Sequence, residues 1–391
     1  MSSKRVFLYV QHLLGIGHLK RAVVLARALA AAGLEVTLAS GGRPVSVLAV
    51  EGARFVQLPP AAAADLGFKL LVDEEGAPID DRWRERRREA LLAAYEVSAP
   101  HVLMLELYPF GRRQMGFELL PLLDAARASP RRPAIVSSVR DIVGGGRRKP
   151  HRQDEMLVLA ERYFDHVLVH GDPGLISFER TFRHAARIAH KLHYTGYVIG
   201  RVQVASPHDA TGHGEVIVSA GGGAMGMRLL ECAIRARPLT SLAGRTWRVL
   251  AGANMAAPDF ATLAALAADS GRGKLVLEQA RPDFPALLAN CALSISQAGY
   301  NTMLEVLDAG ARAVVAPFAG GEEVEQALRA TILAERGLIE LLPEDALTPP
   351  ALAAAVERAA RRPRPAKAEV DMRGAEKSAE LVSRWAEDRK W

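Results

Sequence analysis

The feature that most limits what this chain can fold into is an alternation that runs twice along it. Short β-branched runs bounded by turn residues exchange with longer stretches whose apolar residues recur every three to four positions. Arg5–Gln11 reads as a strand and His18–Ala32 as a helix with Leu19, Ala22, Val23, Ala26, Leu29 and Ala30 along one side and Gly33 as its stop. Strand patterns follow at Glu35–Ser40, Arg54–Leu58, His101–Leu105 and Ala134–Ser138, and helical ones at Asp81–Ser98 and near Gly116–Ala128. A polar stretch at Gly200–Gly214 interrupts the pattern. It restarts with the strand Glu215–Ala220, the helix Met225–Arg237 and strands at Trp247–Ala251, Lys274–Glu278, Ala292–Ser296 and Ala311–Pro317. Strands joined through helices pair in parallel, so each half is expected to be a doubly wound α/β sheet of the Rossmann kind. The expected domains are residues 1–200 and 213–365, with the helical segment 375–391 packing back on the first. Strand order is not readable from this pattern.

A chain of 391 residues has ample length for two cores, and its 49% hydrophobic content marks it as globular. Cys232 and Cys291 sit in apolar stretches with no disulfide spacing, which favours a reducing compartment. The apolar run Val6–Val10 passes at once into Gly15-Ile16-Gly17-His18, leaving no room for a signal-peptide core. A cytoplasmic location is therefore expected. Between Asp81 and Arg152 fifteen Lys and Arg face eight Asp and Glu, which accounts for the whole net charge of +6. No aromatic interleaving or nucleic-acid motif accompanies this excess, so nucleic acid is not an expected partner. A solvated face is the commonest source of such a patch, and attraction to an anionic acceptor or to the inner membrane surface comes second.

Four constellations carry chemistry. In Gly15-Ile16-Gly17-His18 a glycine turn opens a helix, and His18 falls in the first turn, where the helix dipole disfavours imidazolium. A neutral His is what a general base requires; an incidental His on a structural turn is the plain alternative. A dinucleotide fingerprint is disfavoured, because Lys20 stands where the third glycine belongs and Ser40-Gly41-Gly42 replaces the acidic residue of the second strand. Gly221-Gly222-Gly223 sits at a second strand-to-helix turn, where backbone N–H groups suit a diphosphate; it lacks the Lys-Ser/Thr of a P-loop. Next comes Ser296-Gln297-Ala298-Gly299-Tyr300-Asn301-Thr302-Met303-Leu304-Glu305. There Asn301 or Thr302 could cap a helix, and Glu305 in its first turn could accept from ribose hydroxyls. The last is Pro317-Phe318-Ala319-Gly320-Gly321 followed by Glu322, Glu323, Glu325, Gln326 and Arg329, which reads equally as an ordinary helix start. No metal-ligand spacing, paired glycosidase carboxylates or Asp-x-Asp occurs, so neither a metal nor any other cofactor is expected.

Taken in order, these motifs resemble glycosyltransferase family 28. Gly15 to His18 is similar to the family's N-terminal glycine loop, with His18 toward the acceptor, and Gly221–Gly223 to its phosphate loop. Gln297-Ala298-Gly299 through Thr302 and Glu305 resembles the A-G-x-x-T-x-x-E signature, which gives Glu305 the ribose. Gln326 with Arg329-Ala330 resembles Q-x-x-N-A, which gives Gln326 the donor sugar, although Arg329 stands where Asn is usual. Glu106–Arg113, Ser138–Ile142, His170–Pro173 and Tyr194–Tyr197 are instead similar to a bacterial group of predicted glycosyltransferases with no assigned acceptor.

The resemblance implies a GT-B fold, two Rossmann-like domains facing an inter-domain cleft. It also implies inverting, metal-independent transfer from a nucleotide sugar, a UDP-sugar first, to an unidentified acceptor. His18 is the expected base and Gly221, Gly222, Gly223, Phe284, Gly299, Thr302, Glu305 and Gln326 the donor side. Gly15, Gly17, Glu106, Arg140 and Asp141 are expected on the acceptor side. A nucleotide-sugar hydrolase or 2-epimerase of the same fold, or a non-catalytic nucleotide-sugar binder, are the rival readings.

Overall fold

The computed structural model describes residues 3–13, 15–45, 50–64, 70–143, 150–200, 211–220, 226–252, 255–270, 274–318, 324–365 and 370–389. It divides into two compact units, Met1–Gly200 with Val370–Trp391, and Arg201–Glu369.

The first unit is built on β1 (Arg5–Val10), α1 (Gly17–Ala31), β2 (Glu35–Ser40) and β3 (Ala53–Gln57). A short antiparallel pair follows, β4 (Ala62–Ala63) and β5 (Leu71–Val72), then α2 (Asp81–Ser98), β6 (Val102–Glu106), α3 (Gly116–Ala128) and β7 (Ala134–Arg140). α4 (Pro150–Tyr163), β8 (His166–His170) and β9 (Leu192–Tyr194) complete the sheet, whose order is β3-β2-β1-β6-β7-β8-β9. Every pairing in it is parallel. Covered on both faces, β1 reads as a continuous apolar run, and Phe7, Leu8, Tyr9 and Val10 are fully buried.

Local chemistry sets the helix ends. α1 stops at Gly33, φ 87°, where Gly33 N donates to Ala30 O and Leu34 N to Leu29 O, the paired bonds of a Schellman cap. α2 begins where Asp80 accepts from Trp83 N at 2.7 Å. Its inner face is Trp83, Arg87, Leu91 and Tyr95, spaced by four, so one arginine of the charged run is carried into the core. There Arg87 donates to Glu118 of α3 through Nε at 2.8 Å and Nη2 at 2.9 Å. Arg87 Nη2 also reaches Gln11 Oε1 at 2.7 Å, and Tyr9 Oη donates to Glu118 Oε1 at 2.5 Å. Arg87 Nη1 donates to Gly41 O at 2.8 Å, and a Cβ on Gly41 would lie 2.1 Å from Arg87 Nη2. The residue after β2, where a dinucleotide site carries its acid, is thus occupied by a buried guanidinium.

The second unit repeats the plan with β10 (Val216–Ser219), α5 (Met227–Ala236), β11 (Trp247–Ala251), α6 (Ala257–Asp269), β12 (Leu275–Gln279) and α7 (Phe284–Asn290). β13 (Leu293–Ser296), α8 (Tyr300–Ala309), β14 (Ala313–Val315), α9 (Glu325–Glu335), β15 (Glu340–Leu341) and α10 (Pro349–Arg361) follow. Its parallel sheet runs β12-β11-β10-β13-β14-β15. In both sheets the order reverses beside the first strand, the arrangement that opens a crevice at the strand carboxyl ends.

The last helix, α11 (Gly374–Glu387), belongs to the first unit. Ala375, Ala379, Val382, Trp385 and Ala386 join the core made by β1, α1, β2, β6 and β7. Trp385 stacks on His166 with ring centroids 3.9 Å apart and planes 3° from parallel. The approach is locked by backbone: Tyr197 N donates to Asp371 O at 2.6 Å and Gly374 N to Tyr197 O at 3.0 Å. A Cβ on Gly374 would sit 2.4 Å from Gly196 O.

The buried Arg87–Glu118 pair generates a stability prediction. Glu118→Gln leaves a fully buried guanidinium without its counter-charge and should cost about 3–5 kcal/mol, measured by urea unfolding. A loss below about 1 kcal/mol would show that the network does not hold the unit together.

Candidate active site

The first unit places its reactive groups at the reversal of strand order, between the carboxyl ends of β1 and β6. β1 is followed by Gln11, His12 and Leu13, all buried, then by Gly15 and the half-buried Ile16 that precedes α1. Gly17 is the first residue of α1 and His18 the second; a Cβ on Gly15 would meet nothing within 4 Å. No side chain caps this helix and no acidic residue lies in its first turn.

Glu106, the last residue of β6, is the centre of the site. It is fully buried, and both its oxygens lie against His18 Nδ1, at 2.9 Å and 3.0 Å. Arg21, one turn along α1 and 2% exposed, donates Nη2 to Glu106 Oε1. A carboxylate can only accept, so His18 Nδ1 carries the proton and Nε2 keeps its lone pair. Burial by itself would raise the Glu106 carboxyl; His18, Arg21 and Arg112 outweigh it and hold the group well below the ordinary carboxylate range. His18, whose side chain is 15% exposed, is pushed down to about 3. Burial does most of this, Glu106 opposes it, and Arg140 and Arg112 add to it. The sequence reading credited the helix dipole; burial is the larger cause.

Glu106 and Asp141 were expected to face an acceptor, but neither has exposed surface. Glu106 holds His18, and Asp141 accepts from Tyr197 Oη at 2.7 Å. Arg140, at the end of β7, is half-buried. Alongside it Ser138 Oγ meets His170 Nε2 at 2.8 Å, and His170 Nδ1 meets Thr195 Oγ1 at 2.9 Å. Burial, with Arg21 assisting, pushes His170 down to about 3. Sequence reasoning gave no role to Arg21, Arg112 or His170. Arg21 could have been found from its spacing of three after His18 on the same helix. Arg112, whose Nε donates to Gln11 O at 2.8 Å, had no such signal.

In the second unit the corresponding reversal lies between β10 and β13, which pair through Ser219 and Ser296 at their ends. Gly221, Gly222 and Gly223 lie outside the described residues. At Gly226, the next described residue, a Cβ would lie 1.9 Å from that of Ala220. After β13, Gly299 is the N-cap residue of α8 with no side-chain cap. The expected cap by Asn301 or Thr302 is therefore corrected. Tyr300, 4% exposed with Arg329 above its ring at 5.3 Å, draws the helix start forward. Thr302 is then in the first turn, and Glu305, half-buried, is in the second rather than the first.

α9 reaches back to the same corner. Arg329, 3% exposed, bonds Glu325 Oε1 at 2.9 Å and directs Nη1 to Ala298 O at 3.4 Å. Gln326 Oε1 accepts from Phe318 N at 3.2 Å. Phe284 opens α7, half-buried, behind Asp283, which binds Arg281 at 2.6 Å and 2.8 Å. Among the described residues no group of three or more His, Cys, Asp or Glu gathers as metal ligands, and no helix is long and apolar enough to cross a membrane.

Residues 278–384 match the glycosyltransferase family 28 C-terminal domain. This match spans the later part of the second unit and most of α11. Solved glycosyltransferase structures similar to this chain share its GT-B fold. The glycotransferase of kitacinnamycin gives a TM-score of 0.65 at 16% identity, over 99% of this chain and 100% of that one. MurG of Acinetobacter baumannii gives 0.60 at 16% identity, over 97% and 99%. Phytolacca americana UGT2, complexed with UDP-2fluoro-glucose and pterostilbene, gives 0.62 at 14% identity, over 99% and 95%. No curated protein matches the sequence at a significant level.

The buried histidines generate a pH prediction. Both titrate near 6.5 when unfolded and far lower when folded, so the unfolded state binds more protons between these values. Stability is therefore complete above about pH 6.5 and falls as the pH drops toward 3, by at most about 1.4 kcal/mol per pH unit for each histidine. Melting temperatures between pH 7 and pH 5 should fall, and His170→Asn should flatten the slope. An unchanged slope in that variant would remove His170 from the effect.

Proposed function

We propose that this chain is a glycosyltransferase that moves a sugar from a nucleoside-diphosphate donor, a UDP-sugar first, to an acceptor hydroxyl, with inversion and without a metal. The observation that supports it is the His18–Glu106 hydrogen bond, which leaves His18 Nε2 as the acceptor of a proton. His18 Nε2 takes the acceptor proton as that oxygen bonds to the anomeric carbon, and the bond from carbon to the diphosphate oxygen breaks on the opposite face. Glu106 then stabilises the imidazolium, with Arg21 keeping the carboxylate ionised and oriented.

The donor side rests on the second unit. Backbone amides around Gly221–Gly223 are proposed to receive the diphosphate, Glu305 and Thr302 the ribose, Gln326 the sugar and Phe284 the base. That UGT2 was solved with UDP-2fluoro-glucose supports a nucleoside-diphosphate donor in this fold. The chain has no Asp-x-Asp, which favours charge neutralisation by amides over a divalent ion. We also propose that it works at the cytoplasmic membrane face, drawn there by the exposed Arg82, Arg86, Arg113, Arg127 and Arg131.

His18→Ala and Glu106→Gln should each lower turnover by about 10²–10⁴-fold while UDP-sugar binding, followed by calorimetry in EDTA, is retained. Wild-type turnover in His18→Ala would remove the base. Rapid release of free sugar from donor alone would make water the acceptor and the protein a hydrolase. Because free His18 is neutral above about pH 3, kcat/KM should show no acid limb near 6.5. Sedimentation with phosphatidylserine vesicles, abolished by about 0.5 M salt, checks the membrane reading; no binding at low salt would end it.

A further inference from the structure

Resting on the donor contacts assigned above to Phe284, Thr302 and Glu305, we propose that Arg364 is a positioning residue for the nucleotide. Its guanidinium ties the far ends of α7 and α8 together and so fixes the spacing between the base contact and the ribose contacts.

α7 joins β12 to β13 and α8 joins β13 to β14, in a sheet whose strands are all parallel. Both helices therefore run against the strands. They begin at the strand carboxyl ends, where the crevice opens, and finish at the opposite edge of the sheet. Phe284 is the first residue of α7, and Thr302 and Glu305 lie in the first two turns of α8. At the opposite edge the last carbonyls of each helix have no partner within it. Arg364 supplies one to both. Its Nε donates to Gly310 O at 2.9 Å and its Nη2 to Ala309 O at 3.2 Å, which closes α8. The same Nη2 donates to Ala289 O at 2.6 Å and reaches Leu288 O at 3.3 Å, which closes α7.

The residue type suits the task. A planar, permanently charged fork can serve carbonyls from two directions at once, and it meets the negative ends of two helix dipoles. α7 depends on such support, because its 7 residues make a helix too short to persist on its own. The fork is itself held. Pro363 and Pro365 flank Arg364 and restrict its backbone. Arg312 Nε donates to Arg362 O at 2.7 Å, and Arg362 Nη2 pairs with Glu340 Oε2 at 2.8 Å, so the same strap is fastened beside the starts of β14 and β15. From the clamp to Phe284 is about 8 Å along α7, and to Glu305 about 6 Å along α8, at the usual helical rise per residue. Over rods this short, a shift at one end reappears at the other. Base and ribose are covalently joined, so a nucleoside meets both contacts only when these stand at one separation.

The test compares two ligands by calorimetry on the full chain. One is the tightest binder among UDP, dTDP, GDP and ADP, which engages base, ribose and diphosphate contacts; the other is inorganic pyrophosphate, which engages the last alone. Arg364→Gln should weaken the nucleotide about three- to tenfold, the scale of one net hydrogen bond, and leave pyrophosphate unchanged. Arg364→Lys, which keeps the charge but not the fork, should recover part of the loss. Equal weakening of both ligands would mean a general loosening of the unit and overturns the positioning role, as does a nucleotide affinity untouched in Arg364→Gln. Should Arg364→Gln fail to fold, Arg364→Lys decides by the same comparison: a loss confined to the nucleotide supports the role, and any other pattern overturns it. Wild-type protein that binds no nucleotide is the separate failure of the donor reading, and the role of Arg364 falls with it.

Discussion

A fully buried carboxylate at the end of β6 sets the terms for the first unit. Glu106 can stay ionised inside the protein only if its oxygens are met by donors, and each donor has to be delivered from another element. α1 delivers two, His18 and Arg21, because the glycines after β1 start the helix where its first two turns pass over Glu106. The parallel register of β1 with β6 brings those elements together, Tyr9 opposite Leu105. Reversal of strand order, the glycine turn and the orientation of His18 are thus one constraint seen at three scales.

The alternation of strands and helices was legible because each element obeys its own local period: the strands read from the sequence fall within about two residues of observed ones, while β4, β5, β8, β9 and β15 were not read. What escaped the sequence was long-range. His18 and Glu106 are separated by 88 positions and Arg21 and Glu106 by 85, and no periodicity links them. The charged α2 shows the same limit. Its arginines read as a solvated face, yet Arg87 shares a four-residue spacing with Trp83, Leu91 and Tyr95 and is wholly buried against Glu118. That spacing was available in the sequence; the partner was not. Burial was not legible either: Glu106 and Asp141, expected on the acceptor side, are enclosed and hydrogen-bonded to His18 and Tyr197.

In the second unit the departure from the family pattern acquires a physical meaning. Arg329, standing where the resemblance leads one to expect Asn, is turned inward under the A-G-x-x-T loop and fixes Glu325 on one side and Tyr300 on the other. Gln326 holds Phe318 N. α9 therefore braces two neighbouring loops, coupling their positions to the packing of a single helix rather than to their own sequences.

The return of the chain to its first unit also orders events during synthesis. Val6, Leu8 and α1 belong to a core that is closed by Val382, Trp385 and Ala386, residues made only after the whole second unit. The second unit has its strands and the core residues of α10 before α11 is made, so it can become native first. The half of the molecule that carries His18 must wait, its apolar surface provisional, until the final turns of α11 are released.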